Sequence, residues 1–178
     1  MEITEIVKAK IRGTINLYQL KKDGLIVGEN FNAQEGVIID PGHCWLIETG
    51  NNVTLAPRVH ILAHDASMKK HLGYAKIGKV HIGNGVFIGA GSIVLPNVYI
   101  DDNTIIGAGS VVTHDLIGGG VYVGNPCTKI CEFQAWITKK KNEINEKPKF
   151  GEEYKIDKIS PNMKDEMKQR MTDIAYIV

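Results

Sequence analysis

The sequence predicts an all-β solenoid, a chain wound through short strands and tight corners around a single apolar axis. Three observations carry the prediction. Residues 82 to 117 divide into six consecutive hexapeptides: IGNGVF, IGAGSI, VLPNVY, IDDNTI, IGAGSV and VTHDLI. Their first position is always aliphatic (Ile82, Ile88, Val94, Ile100, Ile106, Val112), and their fifth is small or apolar (Val86, Ser92, Val98, Thr104, Ser110, Leu116). Twelve of the nineteen glycines cluster between residues 73 and 124, which points to a special backbone rather than scattered loops. A period of six matches neither the 3.6 of a helix nor the two of a half-buried strand.

Each hexapeptide reads as one short strand and one turn, with glycine or asparagine where the turn needs a positive φ. Three such sides close one coil, so residues eighteen apart stack: Ile82 over Ile100, Ile88 over Ile106, Val94 over Val112. Upstream the pattern returns as LAPRVH, with Leu55 and Val59 in the two key positions, and then as ILAHDA from Ile61. There it breaks. Asp65 occupies the fifth position, His64 the fourth, and the next secure register residue, Ile82, lies twenty-one residues beyond Ile61 rather than eighteen. The polar stretch SMKKHLGYAK is expected to leave the coil as a projecting loop over residues 65–76, with His64 and Asp65 at its root. Before the repeat, WLIETGNNV from Trp45 reads as an opening coil in which Thr49 replaces the usual aliphatic residue.

The ends leave the repeat. Ile3, Ile6, Val7, Ile11, Ile15 and Leu20 recur at roughly helical spacing, which predicts a helical cap over residues 1–24 on the open end of a solenoid spanning 25–130. Residues 131–178 form the third segment, a helical extension. Ile130, Phe133, Ile137 and Ile144 predict a helix to about residue 146, KPKFGEE is a polar break, and Ser160 and Pro161 open a last helix with Met163, Met167, Met171 and Ile174 on one stripe. The apolar finish AYIV is expected to dock on the chain itself or on a neighbouring subunit.

Composition narrows the function. Twenty-one Lys and Arg against twenty Asp and Glu give a net charge of +1, without the basic stripe that a nucleic-acid partner requires. MEITEIVKAKIRG carries charges every few residues, unlike a signal peptide or a membrane span. Cys44, Cys127 and Cys131 are odd in number and form no CxxC pair, as expected of a reduced, cytoplasmic chain. None has a histidine at a fixed spacing that would make it a nucleophile, so packing is their expected use.

The six hexapeptides, the VYVGNPCTKI that follows them at residues 121 to 130 and the HILAHD before the loop resemble the left-handed β-helix (hexapeptide-repeat) acyltransferases, within them the maltose and galactoside O-acetyltransferase-type branch. The resemblance covers residues 45 to 131, and it supplies the left hand, which no spacing determines. It implies an acyl-CoA-dependent O-acetyltransferase, homotrimeric, with active sites in clefts between adjacent subunits. Acetyl-CoA would be the donor, lying along the coils, and a hydroxyl of a sugar or glycan precursor the acceptor. The resemblance also implies a histidine base beside the loop, a place that His64 fills. A neutral imidazole can take the acceptor hydroxyl's proton as the oxygen attacks the thioester, without a covalent enzyme intermediate and without a metal. Asp65 is available to orient it, as is another carboxylate or a backbone carbonyl. Between the LAP stretch and this histidine many family members carry a couple of extra residues, so the local turn is built differently here.

Carried over position by position, donor binding falls on Ala90, Ala108 and Gly109 in the two GAGS turns and on Thr113 and His114 after them. Lys129 is the cation left for the phosphates where relatives offer a basic residue at His114, Thr128 or Cys131. Turn chemistry alone would also select Ala and Gly here. His60, His81 and His114 occupy outward repeat positions where solvated or interface histidines are common, and His71 on the loop is the second choice for the base. Two other function classes compete: a noncatalytic hexapeptide scaffold, and a γ-carbonic-anhydrase-like enzyme with zinc on His60, His64 and His81. The zinc branch shows H-x4-H where this chain has H-x3-H.

Overall fold

The computed structural model describes residues 15–178, which fall into two compact units, one ending at Phe133 and one spanning Gln134–Val178. The predicted cap lies for the most part outside the described residues. What is described of it is a helix, Leu17–Lys22, capped by the Asn16 side chain accepting from the Gln19 N–H at 3.1 Å and burying Leu20.

The first unit consists of three parallel sheets that the chain visits in rotation. The first sheet holds Ile26–Val27, Ile47–Thr49, Val80–Ile82 and Val98–Ile100, and the third holds Ile38–Ile39, His60–Ile61, Ile93–Val94 and Val111–Val112. The second holds Asn32–Ala33, Thr54–Leu55, Phe87–Ile88, Thr104–Ile106 and Gly120–Gly124, and closes with the antiparallel strand Cys127–Cys131. Ile82 pairs with Ile100, Ile88 with Ile106 and Val94 with Val112, the eighteen-residue stacking that the hexapeptides predict. Both key positions face the core: all six first-position residues and all six fifth-position residues are buried. At about 1.5–3 kcal/mol for each large aliphatic side chain, this column is the main stabilising element of the unit.

The two serines in the fifth position are satisfied by the next circuit, and Thr104 by the Asp101 carbonyl of its own hexapeptide. Ser92 Oγ donates to the Gly107 carbonyl at 3.0 Å, and Ser110 Oγ accepts from the Gly124 N–H at 3.1 Å. Thr49, the replacement noted in the first circuit, is buried with its Oγ1 unpaired. Gly89 illustrates what the repeat's glycines are for. A Cβ there would sit 2.4 Å from the Ala108 amide of the next circuit, so only hydrogen fits.

Two circuits are longer than eighteen residues. Ile39 stacks on Ile61, twenty-two residues on, so the stretch after Ile39 carries four extra residues. Ile61 stacks on Val94, thirty-three residues on, so the excursion after Ile61 adds fifteen. This corrects the register count from the sequence, which measured the interruption from Ile61 to Ile82. Ile82 belongs to the first sheet, one side further round, and does not lie above Ile61. Both insertions leave from the third sheet at its corner with the first, one above the other.

The excursion is more ordered than a loop. His64–Asp65 pairs antiparallel with Lys76–Ile77, a short helix Lys69–Leu72 crosses its tip, and Gly73 ends that helix at φ +78°. His64 therefore sits in the stem.

The second unit contains the rest of the helix Phe133–Glu146, which ends where the sequence predicts, and a helix Pro161–Arg170 whose Ser160 cap accepts from the Met163 N–H at 3.3 Å. Two expectations change. The polar break contains a strand, Lys149–Phe150, and the last helix stops at Arg170, leaving Met171 and Ile174 off its stripe. The AYIV finish forms the partner strand Tyr176–Ile177, parallel to Lys149–Phe150. Phe150 supplies the reason: it is buried, packs against Tyr154 at 4.9 Å and lies under the Arg170 guanidinium at 4.7 Å.

Candidate active site

The two insertions build one cluster. Asp40 opens the four-residue insertion, and His64 opens the fifteen-residue one directly above it. Asp40 is buried, and each of its oxygens is held by the backbone: Oδ1 accepts from the Gly42 N–H and Oδ2 from the Ala63 N–H, both at 3.0 Å. Oδ2 also pairs with Nδ1 of His64 in a short hydrogen bond. Burial pushes the Asp40 pKa up, but the hydrogen bonds from His64, Ala63 and Gly42 outweigh it, and the carboxyl ends below its ordinary value. A carboxylate fixed on Nδ1 leaves the lone pair of His64 on Nε2. The His64 side chain is 38% exposed, so that nitrogen can meet a substrate.

Asp65, the neighbour expected to orient His64, instead accepts from the Ser67 N–H at 2.8 Å and is exposed. Successive residues of a strand point to opposite faces, which separates the two side chains. The carboxylate hydrogen-bonded to His64 is that of Asp40, twenty-four residues earlier.

His43, on the same insertion as Asp40, completes the cluster. Its ring lies 4.8 Å from that of His64 and 5.3 Å from that of Trp45, and its Nδ1 is buried without a hydrogen-bond partner, 3.8 Å from Asp40 Oδ1. Among the described residues, Asp40, His43 and His64 are the one group of three whose donor atoms converge closely enough for a metal ion. The alternative set, His60, His64 and His81, is dispersed. His60 faces out from the third sheet, and His81 faces out from the first, stacked on Tyr99 at 4.8 Å. His71 is exposed on the short helix at the tip of the excursion.

The proposed donor residues divide between two corners. Ala90, Ala108 and Gly109 form a column at the corner of the second and third sheets, tied by the Gly109 N–H to the Ala90 carbonyl at 2.8 Å. A cleft of about 510 Å³ at this corner is lined by Glu35, Gly36, Pro57, Arg58, Ala90 and Gly91. Thr113 and His114, whose Oγ1 and Nδ1 lie 3.2 Å apart, follow the third sheet at the corner that also holds His64. Lys129 is engaged within its own strand region: its Nζ donates to Glu132 at 2.7 Å, and that hydrogen bond raises its pKa. Arg58 lines the same cleft as Ala90, at a position not singled out in the sequence.

Burial raises the pKa of both Cys44 and Cys127, so neither is primed as a thiolate nucleophile, in keeping with the packing role expected of them. Among the described residues no helix is long and apolar enough to cross a membrane.

Comparison with known proteins places this arrangement. The chain is 30% identical to a maltose O-acetyltransferase of Clostridium difficile 630, with 72% of this chain and 83% of that one covered and a TM-score of 0.52. The chain belongs to the bacterial hexapeptide-repeat transferases. Within this hexapeptide-repeat transferase, residues 79–114 match the family's own six-repeat model, Bacterial transferase hexapeptide. A hexapeptide-repeat acetyltransferase of Vibrio cholerae shares the fold, at 17% identity and a TM-score of 0.54 over 72% of this chain and 88% of that one. Protein CapG of Staphylococcus aureus is 46% identical over 99 residues, 53% of this transferase and 58% of that relative, so the match spans little more than half of its length.

Proposed function

We propose that the chain is a left-handed parallel β-helix enzyme that transfers an acetyl group from acetyl-CoA to a hydroxyl of a sugar or glycan precursor, with His64 as general base and Asp40 as its orienting carboxylate. The observation that carries this is the His64–Asp40 pair at the root of the excursion: a half-exposed imidazole whose Nδ1 is held by a buried, ionised carboxylate. In this reading the acceptor hydroxyl attacks the thioester carbonyl while Nε2 takes its proton. The tetrahedral intermediate then expels the CoA thiolate, and the imidazolium returns the proton to the sulfur. Asp40 stabilises the imidazolium between the two transfers.

The acceptor side is supported by a cleft of about 420 Å³ on the first sheet, reached from His64 through the rings of His43 and Trp45. Trp45 and Tyr99 offer ring faces there, and Glu48, Lys79 and His81 offer polar groups, a mixture suited to a sugar ring. On the donor side, the Ala90–Ala108–Gly109 column gives pantetheine a surface of small residues, and Arg58, which lines the same cleft as Ala90, joins Lys129 as a candidate cation for the phosphates. His64 and this column stand on opposite edges of the third sheet, so a donor reaching both fits a homotrimer in which neighbouring subunits share each cleft. The domain plan follows: a cap, the β-helix with its excursion, and a separate extension.

The donor half is tested by coenzyme A itself. A ligand held only by the folded coils raises the melting temperature by mass action. Coenzyme A is expected to protect the wild type, and Ala108→Phe, which fills the column with an exposed ring, to lose that protection while melting normally without ligand. Equal protection of both proteins would remove Ala108 from the donor site.

A further inference from the structure

We infer that Asp40, His43 and His64 form a binding site for a zinc-type divalent cation, and that an ion held there takes His64 out of service as a base. The first half stands on geometry alone, whereas the second rests on the base assignment proposed above. The three donor atoms lie within 4.8 Å of one another. Nδ1 of His43 is buried and unpaired, which costs about 1–3 kcal/mol unless something fills the role of a partner. Asp40 Oδ1, its nearest acidic neighbour at 3.8 Å, is too far for a hydrogen bond. It is not too far for a shared ion: two ligand atoms each about 2.0–2.1 Å from a tetrahedral centre stand about 3.4 Å apart.

The ligand set selects the ion. Two imidazoles and one carboxylate suit Zn²⁺, Co²⁺ or Ni²⁺, whereas Mg²⁺ and Ca²⁺ prefer oxygen ligands throughout. Two of the ligands are held in place, since the backbone fixes Asp40 and the His43 ring lies against those of Trp45 and His64, while the His64 ring must draw back from Oδ2 to admit the ion. The exposed side of His64 leaves a fourth position for water.

Occupancy and base function exclude each other at one atom. Nδ1 is the His64 nitrogen beside Asp40, and an ion that binds through it replaces the proton this nitrogen donates to Asp40 in the free protein. When the ion takes that nitrogen, the proton of the neutral ring passes to Nε2, and the lone pair that would accept the acceptor's proton is gone.

The test uses the full chain stripped with a chelator and titrated with ZnCl₂ by calorimetry, with no donor present, alongside Co²⁺ titration read by visible absorption. The expected result is one Zn²⁺ per chain, at least tenfold weaker in His43→Ala, and a four-coordinate Co²⁺ spectrum without thiolate charge-transfer bands. The cobalt spectrum of the wild type decides the ligand set even if the variant fails to fold. Unchanged affinity in His43→Ala, no saturable binding, or a thiolate band would overturn the site. In a separate acetyl-CoA assay, Zn²⁺ is expected to inhibit and EDTA to restore the rate. Acceleration by Zn²⁺ would overturn the inhibitory half and leave the binding result standing.

Discussion

His64→Ala is expected to lower kcat for acetyl transfer by about 10²–10⁴, the usual loss on removing a general base. The melting temperature and coenzyme A binding should change little, because the imidazole is half-exposed and makes its one strong contact to Asp40 rather than to the core. His71→Ala should do much less: that residue lies on the exposed helix at the tip of the excursion, whereas His64 is in the paired stem. The check is steady-state thiol release from acetyl-CoA with acceptor present, for the two variants side by side. Near-normal kcat in His64→Ala with a loss in His71→Ala would move the base to the tip of the excursion.

Asp40→Asn is expected to cost a comparable factor in kcat, about 10²–10⁴, with the fold retained. An amide is nearly the size of the carboxylate, and with its nitrogen in the place of Oδ2 its oxygen can still accept from the Gly42 N–H. It cannot stabilise the imidazolium, however, and turned towards Nδ1 as a donor it forces the proton onto Nε2, the wrong tautomer for a base. The substitution also has a signature in stability. The folded-state pKa of Asp40 lies below its ordinary 3.8, so its ionised form stabilises the native state at any pH above that value. The stabilisation is lost as the pH falls through the lower, folded value. The gap in melting temperature between wild type and Asp40→Asn should therefore be full near neutrality and close below about pH 3.8. A gap that stayed constant down to pH 2 would mean that Asp40 is not held as a carboxylate. Asp65→Asn offers a contrast, since that exposed carboxylate touches only Ser67.

Much of the fold was legible because the hexapeptide states its own register: an aliphatic first position and a small fifth position fix which residues stack, and Ile82, Ile88 and Val94 stack as that pattern requires. The site was half legible. His64 announced itself by breaking the pattern, but Asp40 and His43 lie in DPGHC, before the first secure hexapeptide, where no neighbouring register existed to show that four residues were extra. Counting back by eighteen from Ile61 would have exposed the mismatch at Ile39. The strand at Tyr176–Ile177 was missed for another reason. Methionines at helical spacing extend smoothly from Met163 past Arg170, and only the buried Phe150 supplies a partner for an extended finish. Lys129 stands out in the sequence by its charge alone, and its pairing with Glu132, three residues on, is visible only in the structure.

Acetyl transfer from acetyl-CoA to a sugar hydroxyl is tested most directly by the fate of a labelled acetyl group. Purified protein is mixed with labelled acetyl-CoA alone, then with a panel of sugars, nucleotide sugars and lipid-linked glycans, and both protein and acceptors are analysed by mass spectrometry. The expected result is no acetyl group on the protein and an O-acetyl ester on at least one acceptor, formed in step with free coenzyme A. An acetylated protein intermediate, or no acetylated sugar from any member of the panel, would contradict it.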